Sequence, residues 1–124
     1  MYNELYTGYF AKCKKYRENG YIPVSVAGKT PSNCVDEKWL DFAPRKELFQ
    51  QWKNGIISDV KYGNEYMTYL STIPIEDIEE LRELTRSGKF IMCCYEKTGD
   101  FCHRHYLAHF LRTKCLFNVY EVDL

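Results

Sequence analysis

Four of the six cysteines and all three histidines fall between Lys89 and Leu116, KFIMCCYEKTGDFCHRHYLAHFLRTKCL. Thiols and imidazoles serve as nucleophiles, proton carriers and metal ligands, so chemistry is expected in this stretch. Phe90 to Cys94 is a short apolar run that reads as a buried strand, Tyr106 to Leu116 reads as a helix, and Glu96 to Phe101 connects them. The reactive residues thus gather at a strand-to-helix turn, where an α/β fold places ligands.

Asp100 is spaced to cap the final helix, because its carboxylate can accept from the amides of Cys102 or His103. That puts Cys102 in the first turn, where exposed amides and the helix dipole favour a thiolate and His103 or Arg104 adds positive charge. The same groups suit a phosphate or carboxylate, with Arg104 as a bidentate donor. Glu96 follows Cys94 by two residues, so both side chains leave one face of an extended chain. Its carboxylate is a candidate general base or a partner for Arg104, and the pairing is the preferred reading because buried charges are usually compensated. Cys93 and Cys94 point to opposite faces, so at most one meets the turn and the other packs as core.

A metal is the competing reading. Cys102, His105 and His109 share one helical face at spacings of three and four, and Cys94 supplies a fourth ligand of the kind zinc takes. Against it, there is no paired cysteine knuckle, and Cys102 and His103 are too close in sequence to serve one ion comfortably. No cofactor is therefore expected, and His105 and His109 are read as solvated.

The elements that must position this turn follow from periodicity. Leu5 to Phe10 is β-prone, AKCKKYREN is helical and ends at Gly20, and Ile22, Val24 and Val26 alternate in a second strand. Pro23 places that strand's beginning at a sheet edge or makes it a strand start. Ala27 to Pro31 is a turn. Arg45 to Asn54 is a helix with Leu48, Phe49 and Trp52 inward and Gly55 as its stop. A helix from about Asn64 aligns Tyr66, Tyr69 and Leu70, with Tyr62 one turn earlier, and core packing is preferred over a tyrosine-lined pocket. Pro74 to Ser87 is the clearest helix, with Ile75, Ile78 and Leu81 facing the sheet and Gly88 at its end. Phe117 to Val122 is the last strand. The alternation implies a single compact α/β domain over residues 1–124, three-layered and Rossmann-like, with about four mostly parallel strands between helices.

Seventeen basic and seventeen acidic residues cancel, so composition alone draws the chain toward neither nucleic acid nor anionic membrane. A local basic run, Lys12, Lys14, Lys15 and Arg17 among tyrosines, keeps open a non-enzymatic module that recognises nucleic acid or protein. No run approaches the length of a membrane span, and MYNELYTGYF lacks a basic region followed by an apolar stretch. A cytoplasmic protein with reduced thiols is expected.

Cys94-Tyr95-Glu96, five residues, then Cys102-His103-Arg104 resembles the C-terminal signature of the domain-of-unknown-function family 488. TGYFAK from Thr7, SVAGKTP from Ser25 and LDFAPRKEL from Leu40 are similar to landmarks of its small stand-alone members. The resemblance implies a compact α/β fold with a largely parallel sheet, and a characteristic cluster of Cys94, Glu96, Cys102, His103 and Arg104. It implies no activity. The residues themselves suggest a pocket at the strand carboxyl ends bordered by Tyr9, Gly28, Lys29, Glu96 and the Cys102-His103-Arg104 turn. Its expected ligand is an anionic small molecule such as a nucleotide, acted on through Cys102 or Glu96. The alternatives are the nucleic-acid or protein module and a zinc-stabilised scaffold.

Overall fold

A computed structural model describes residues 3–31, 34–97 and 100–124. Five parallel strands, β1 (Glu4–Tyr9), β2 (Tyr21–Ser25), β3 (Glu37–Lys38), β4 (Lys89–Cys94) and β5 (Asn118–Glu121), form one sheet in the order β3-β2-β4-β1-β5. The helices are α1 (Cys13–Glu18), α2 (Lys46–Lys53), α3 (Asp59–Leu70), α4 (Ile75–Leu84) and α5 (His103–Lys114). A largely parallel α/β sheet of about four strands was expected. The fifth is β3, two charged, exposed residues that carry no apolar alternation.

Parallel pairing requires crossovers, and the crossovers cover both faces. Alternate residues of β4 point to opposite sides. Phe90 and Met92 join Leu107 and Leu111 of α5, Tyr66 and Leu70 of α3 and Ile78 and Leu81 of α4 in one apolar cluster. Ile91 and Cys93 join Cys13 and Tyr16 of α1 in another. The fold therefore has three layers, with α1 alone on one face. β4 lies between β2 and β1 and is buried from Phe90 through Cys94, which is why it reads as an unbroken apolar run.

Pro23 is the third residue of β2, a strand flanked on both sides, and its position has a local reason. Its carbonyl accepts from the Asp36 amide on the β3 side (2.9 Å). The missing N–H faces the same way, and there β3 pairs only with Val24 and Ser25. The Pro23 portion of β2 is thus edge-like.

Two of the three expected glycine stops hold, whereas α4 ends at Leu84, four residues before Gly88. Gly20 (φ 86°) and Gly55 (φ 74°) follow α1 and α2 in the left-handed region that glycine tolerates. Two helix readings are corrected. α3 starts at Asp59, capped by the Ser58 side chain on the Lys61 amide, rather than near Asn64. Ile75 is exposed, because it opens α4 where the helix has not yet turned onto the sheet, whereas Ile78 and Leu81 are buried. Among the described residues, no helix is long and apolar enough to cross a membrane.

Candidate functional site

Chain leaving β1 enters α1 on one face and crosses to β2, and chain leaving β4 enters α5 on the other face and returns to β5 beyond β1. Neighbouring strands whose connections depart to opposite faces open a crevice at their carboxyl ends. Tyr9 pairs with Cys94 at that point. Glu96 and the start of α5 lie just beyond it.

Cys102, not Asp100, caps α5. Its backbone is extended (φ −156°, ψ 143°) and its sulfur accepts from the Arg104 amide at 3.5 Å. Asp100 precedes the cap by two residues, too early to serve the first turn. The strand end and the helix start bring the Cys94 and Cys102 sulfurs against each other, with their Cα atoms 7.7 Å apart, wider than a disulfide ordinarily spans. Cys93 is core as well, in the same buried cluster as Cys94, Cys102 and Cys13.

His103 is buried, and its Nε2 lies 2.6 Å from the Val26 carbonyl. A carbonyl can only accept, so the proton sits on Nε2 and the Nδ1 lone pair is directed elsewhere. That atom is 3.9 Å from the Cys102 sulfur. Burial lowers the imidazole's pKa to about 4, opposed by the Val26 bond and reinforced by Arg104. His103 is therefore neutral near pH 7. The Tyr66 ring meets it edge-on, at 5.5 Å between centroids.

Arg104 is fully buried. Its Nε and Nη2 donate to the two carboxylate oxygens of Glu121 (3.1 and 2.8 Å), and Nη1 donates to the Cys94 sulfur (2.8 Å) and to the Glu96 carbonyl. Thr7 also donates to Glu121. The expected side-chain pair between Glu96 and Arg104 is thus corrected. Glu96 contributes only its backbone carbonyl, and the carboxylate that compensates Arg104 comes from β5. Nor is the guanidinium free to grip an anion in its plane.

The Glu96 carboxylate instead influences Tyr62, whose pKa is raised by burial and then by that charge. The Tyr62 hydroxyl is buried without a hydrogen-bond partner among the described residues. Trp52 stacks on the Tyr62 ring (4.9 Å, 12°), and Phe101, next to Cys102, packs against both. Tyr66 is core as expected, its hydroxyl bonded to the Phe42 carbonyl.

Gly28 and Lys29 are exposed in the loop after Val26, the residue that holds His103. The four-ligand metal set is corrected. His105 bonds the Asp100 backbone and His109 is exposed, and neither joins Cys94 and Cys102. The helix turn carries His103 inward instead, so one ligand atom from each of Cys94, Cys102 and His103 lies within 4.8 Å of the others. Such a thiolate and imidazole set suits zinc. In the basic run Arg17 is engaged by Asp36 and the Cys34 carbonyl, and Cys13 and Tyr16 between the basic residues are core.

Sequence reasoning did not single out Glu121 or Thr7, nor place Tyr62 at the site. The one available signal for Glu121 was a lone carboxylate within the apolar strand from Phe117 to Val122.

A family model described as the active DUF488-N3 subclade (DUF488-N3a) matches residues 14–115. No curated protein and no solved structure matches the chain.

Proposed function

The chain belongs to DUF488-N3a, the active DUF488-N3 subclade, and from that premise we propose that it is a cysteine-dependent enzyme acting on an anionic small molecule, a nucleotide or similar phosphorylated compound, in the crevice between β1 and β4. One observation carries the reading: both sulfurs of the Cys94–Cys102 pair receive N–H donors, Cys94 from the Arg104 side chain and Cys102 from the Arg104 amide at the start of α5. Donors of this kind favour the thiolate, and thiolate is the nucleophilic form. The Nδ1 lone pair of His103 faces Cys102 at 3.9 Å, but its low pKa makes it a weak base, so the thiolate rests on the N–H donors.

The ligand chemistry follows from the surroundings. With Arg104 balanced by Glu121 and the Arg104 and His105 amides bonded to Cys102, the groups left to meet a phosphate are the exposed Lys29 and the Gly28 backbone. Trp52 and Phe101 beside the start of α5 offer flat apolar surface for a base. Glu96, near the unpartnered Tyr62 hydroxyl, is the candidate to move a second proton. Thermal denaturation of the reduced protein with AMP, ADP, adenosine or inorganic phosphate tests the binding half. AMP and ADP should raise the midpoint above adenosine, and Lys29→Glu should remove the rise. Equal midpoints with all four probes contradict the proposal.

A second reading has its own support, the Cys94, Cys102 and His103 ligand set. A zinc ion held there would tie β4 to α5 and serve as a scaffold. Elemental analysis of protein purified without chelator distinguishes the two, since about one equivalent of zinc favours the scaffold and none removes it.

A further inference from the structure

At the start of α1, in the same buried cluster as the Cys94–Cys102 pair, a second group of thiols converges. Cys13 opens α1 and is buried, and Cys34, in the segment between β2 and β3, is half-buried. Their sulfurs are 2.6 Å apart, with the Cys34 thiol also reaching the Phe10 carbonyl (3.5 Å). The approach is braced on both sides. Arg17, one helical turn beyond Cys13, donates to the Cys34 carbonyl (2.8 Å) and pairs with Asp36. Behind Cys13 lies Cys93 of β4, buried and within hydrogen-bonding reach of it.

We infer that Cys13 and Cys34 form a peroxide-oxidisable dithiol whose disulfide locks the segment between β2 and β3 onto α1. The steps balance as follows. The Cys13 thiolate attacks one oxygen of hydrogen peroxide, an S–O bond forms, the O–O bond breaks, and the departing hydroxide takes a proton to become water. The Cys34 sulfur then attacks the Cys13 sulfenic sulfur, an S–S bond forms, the S–O bond breaks, and the Cys34 proton leaves with the hydroxide as a second water. Two thiols are oxidised by two electrons, and one peroxide is reduced to two waters.

The roles follow from the surroundings. Donation from Cys93 lowers the Cys13 pKa most, Cys34 and Arg17 lower it further, and against the opposing effect of burial it comes to about 7. Burial, then the bond to Cys13, pushes Cys34 up to about 12. Cys13 is thus the attacking sulfur and Cys34 the resolving one, and the partial exposure of Cys34 gives peroxide its approach.

The test is made on the wild-type protein. After reduction and desalting it is treated with hydrogen peroxide, blocked with iodoacetamide and digested with trypsin without reductant. The expected product joins fragment 13–14 to fragment 30–38, two hydrogen masses lighter than their sum, and forms about tenfold faster than Cys115 is oxidised. Cys13 recovered as free thiol, as sulfinic acid or linked to Cys93 overturns the inference. In Cys34→Ser, dimedone should label Cys13 and not Cys93, and absence of the Cys13 adduct overturns its assignment as the attacking sulfur. Because the first readout needs no variant, it stands even if the substitution impairs folding.

Discussion

Arg104 and Glu121 meet through two parallel hydrogen bonds, Nε to Oε1 at 3.1 Å and Nη2 to Oε2 at 2.8 Å, with the guanidinium fully removed from water. The pair binds α5 to the end of β5, and the remaining nitrogen reaches β4 through Cys94 and the Glu96 carbonyl. Removing one partner leaves a charge buried without compensation, a loss of about 3 to 5 kcal/mol for a fully buried pair. The Glu121 side chain keeps 21% of its exposure, so Glu121→Gln belongs at the lower end of that range. Urea denaturation measures it, and a loss within about 0.5 kcal/mol, usual for a surface substitution, would contradict the structural role given to the pair.

His103 makes stability depend on pH. Its folded pKa, lowered to about 4 by burial, lies below the unfolded value near 6.5. Between those values the unfolded chain binds the extra proton, so stability rises with pH there. The contribution is complete above about pH 6.5, falls as the solution is acidified toward the folded pKa, and levels off below it. It amounts to something on the order of 3 kcal/mol. The difference in unfolding free energy between wild type and His103→Gln, measured from pH 7.5 to 4.5, should shrink along this course. A difference that does not vary with pH would contradict the neutral, buried imidazole.

Gly8 of β1 faces the Tyr16 ring. A Cβ there would lie within 3.0 Å of ring atoms, and the Tyr16 hydroxyl is held by the Tyr9 amide (3.2 Å), so the ring has little freedom to withdraw. Gly8→Ala should cost about 1 to 3 kcal/mol through overpacking. An unchanged thermal midpoint would show that α1 can move away from the sheet.

The layout of four strands was legible because β1, β2, β4 and β5 combine apolar runs or alternation with glycine and proline punctuation. β3 was not, since two exposed charged residues carry no pattern and pair only because the segment after β2 is drawn back by Asp36 and Trp39. At the site, the meeting of Cys94, Cys102, His103 and Arg104 followed from a strand end running into a helix start. What escaped was the direction of each side chain about α5. Starting the helix at His103 turns His103 and Arg104 inward and His109 out, so the imidazole of the cluster is the neighbour of Cys102 and not one a turn away. Glu121 was hidden because its partner is distant in sequence, and only parallel pairing of β5 with β1 brings it beside Thr7.

Protection of thiols by ligand tests the proposed site most directly. Protein reduced with a phosphine is alkylated with iodoacetamide with and without saturating ADP, and each cysteine is followed by mass spectrometry. The account predicts that ADP slows labelling of Cys94 and Cys102 while leaving Cys34, in the segment between β2 and β3, unaffected. Equal rates at Cys94 and Cys102 with and without ADP would contradict it.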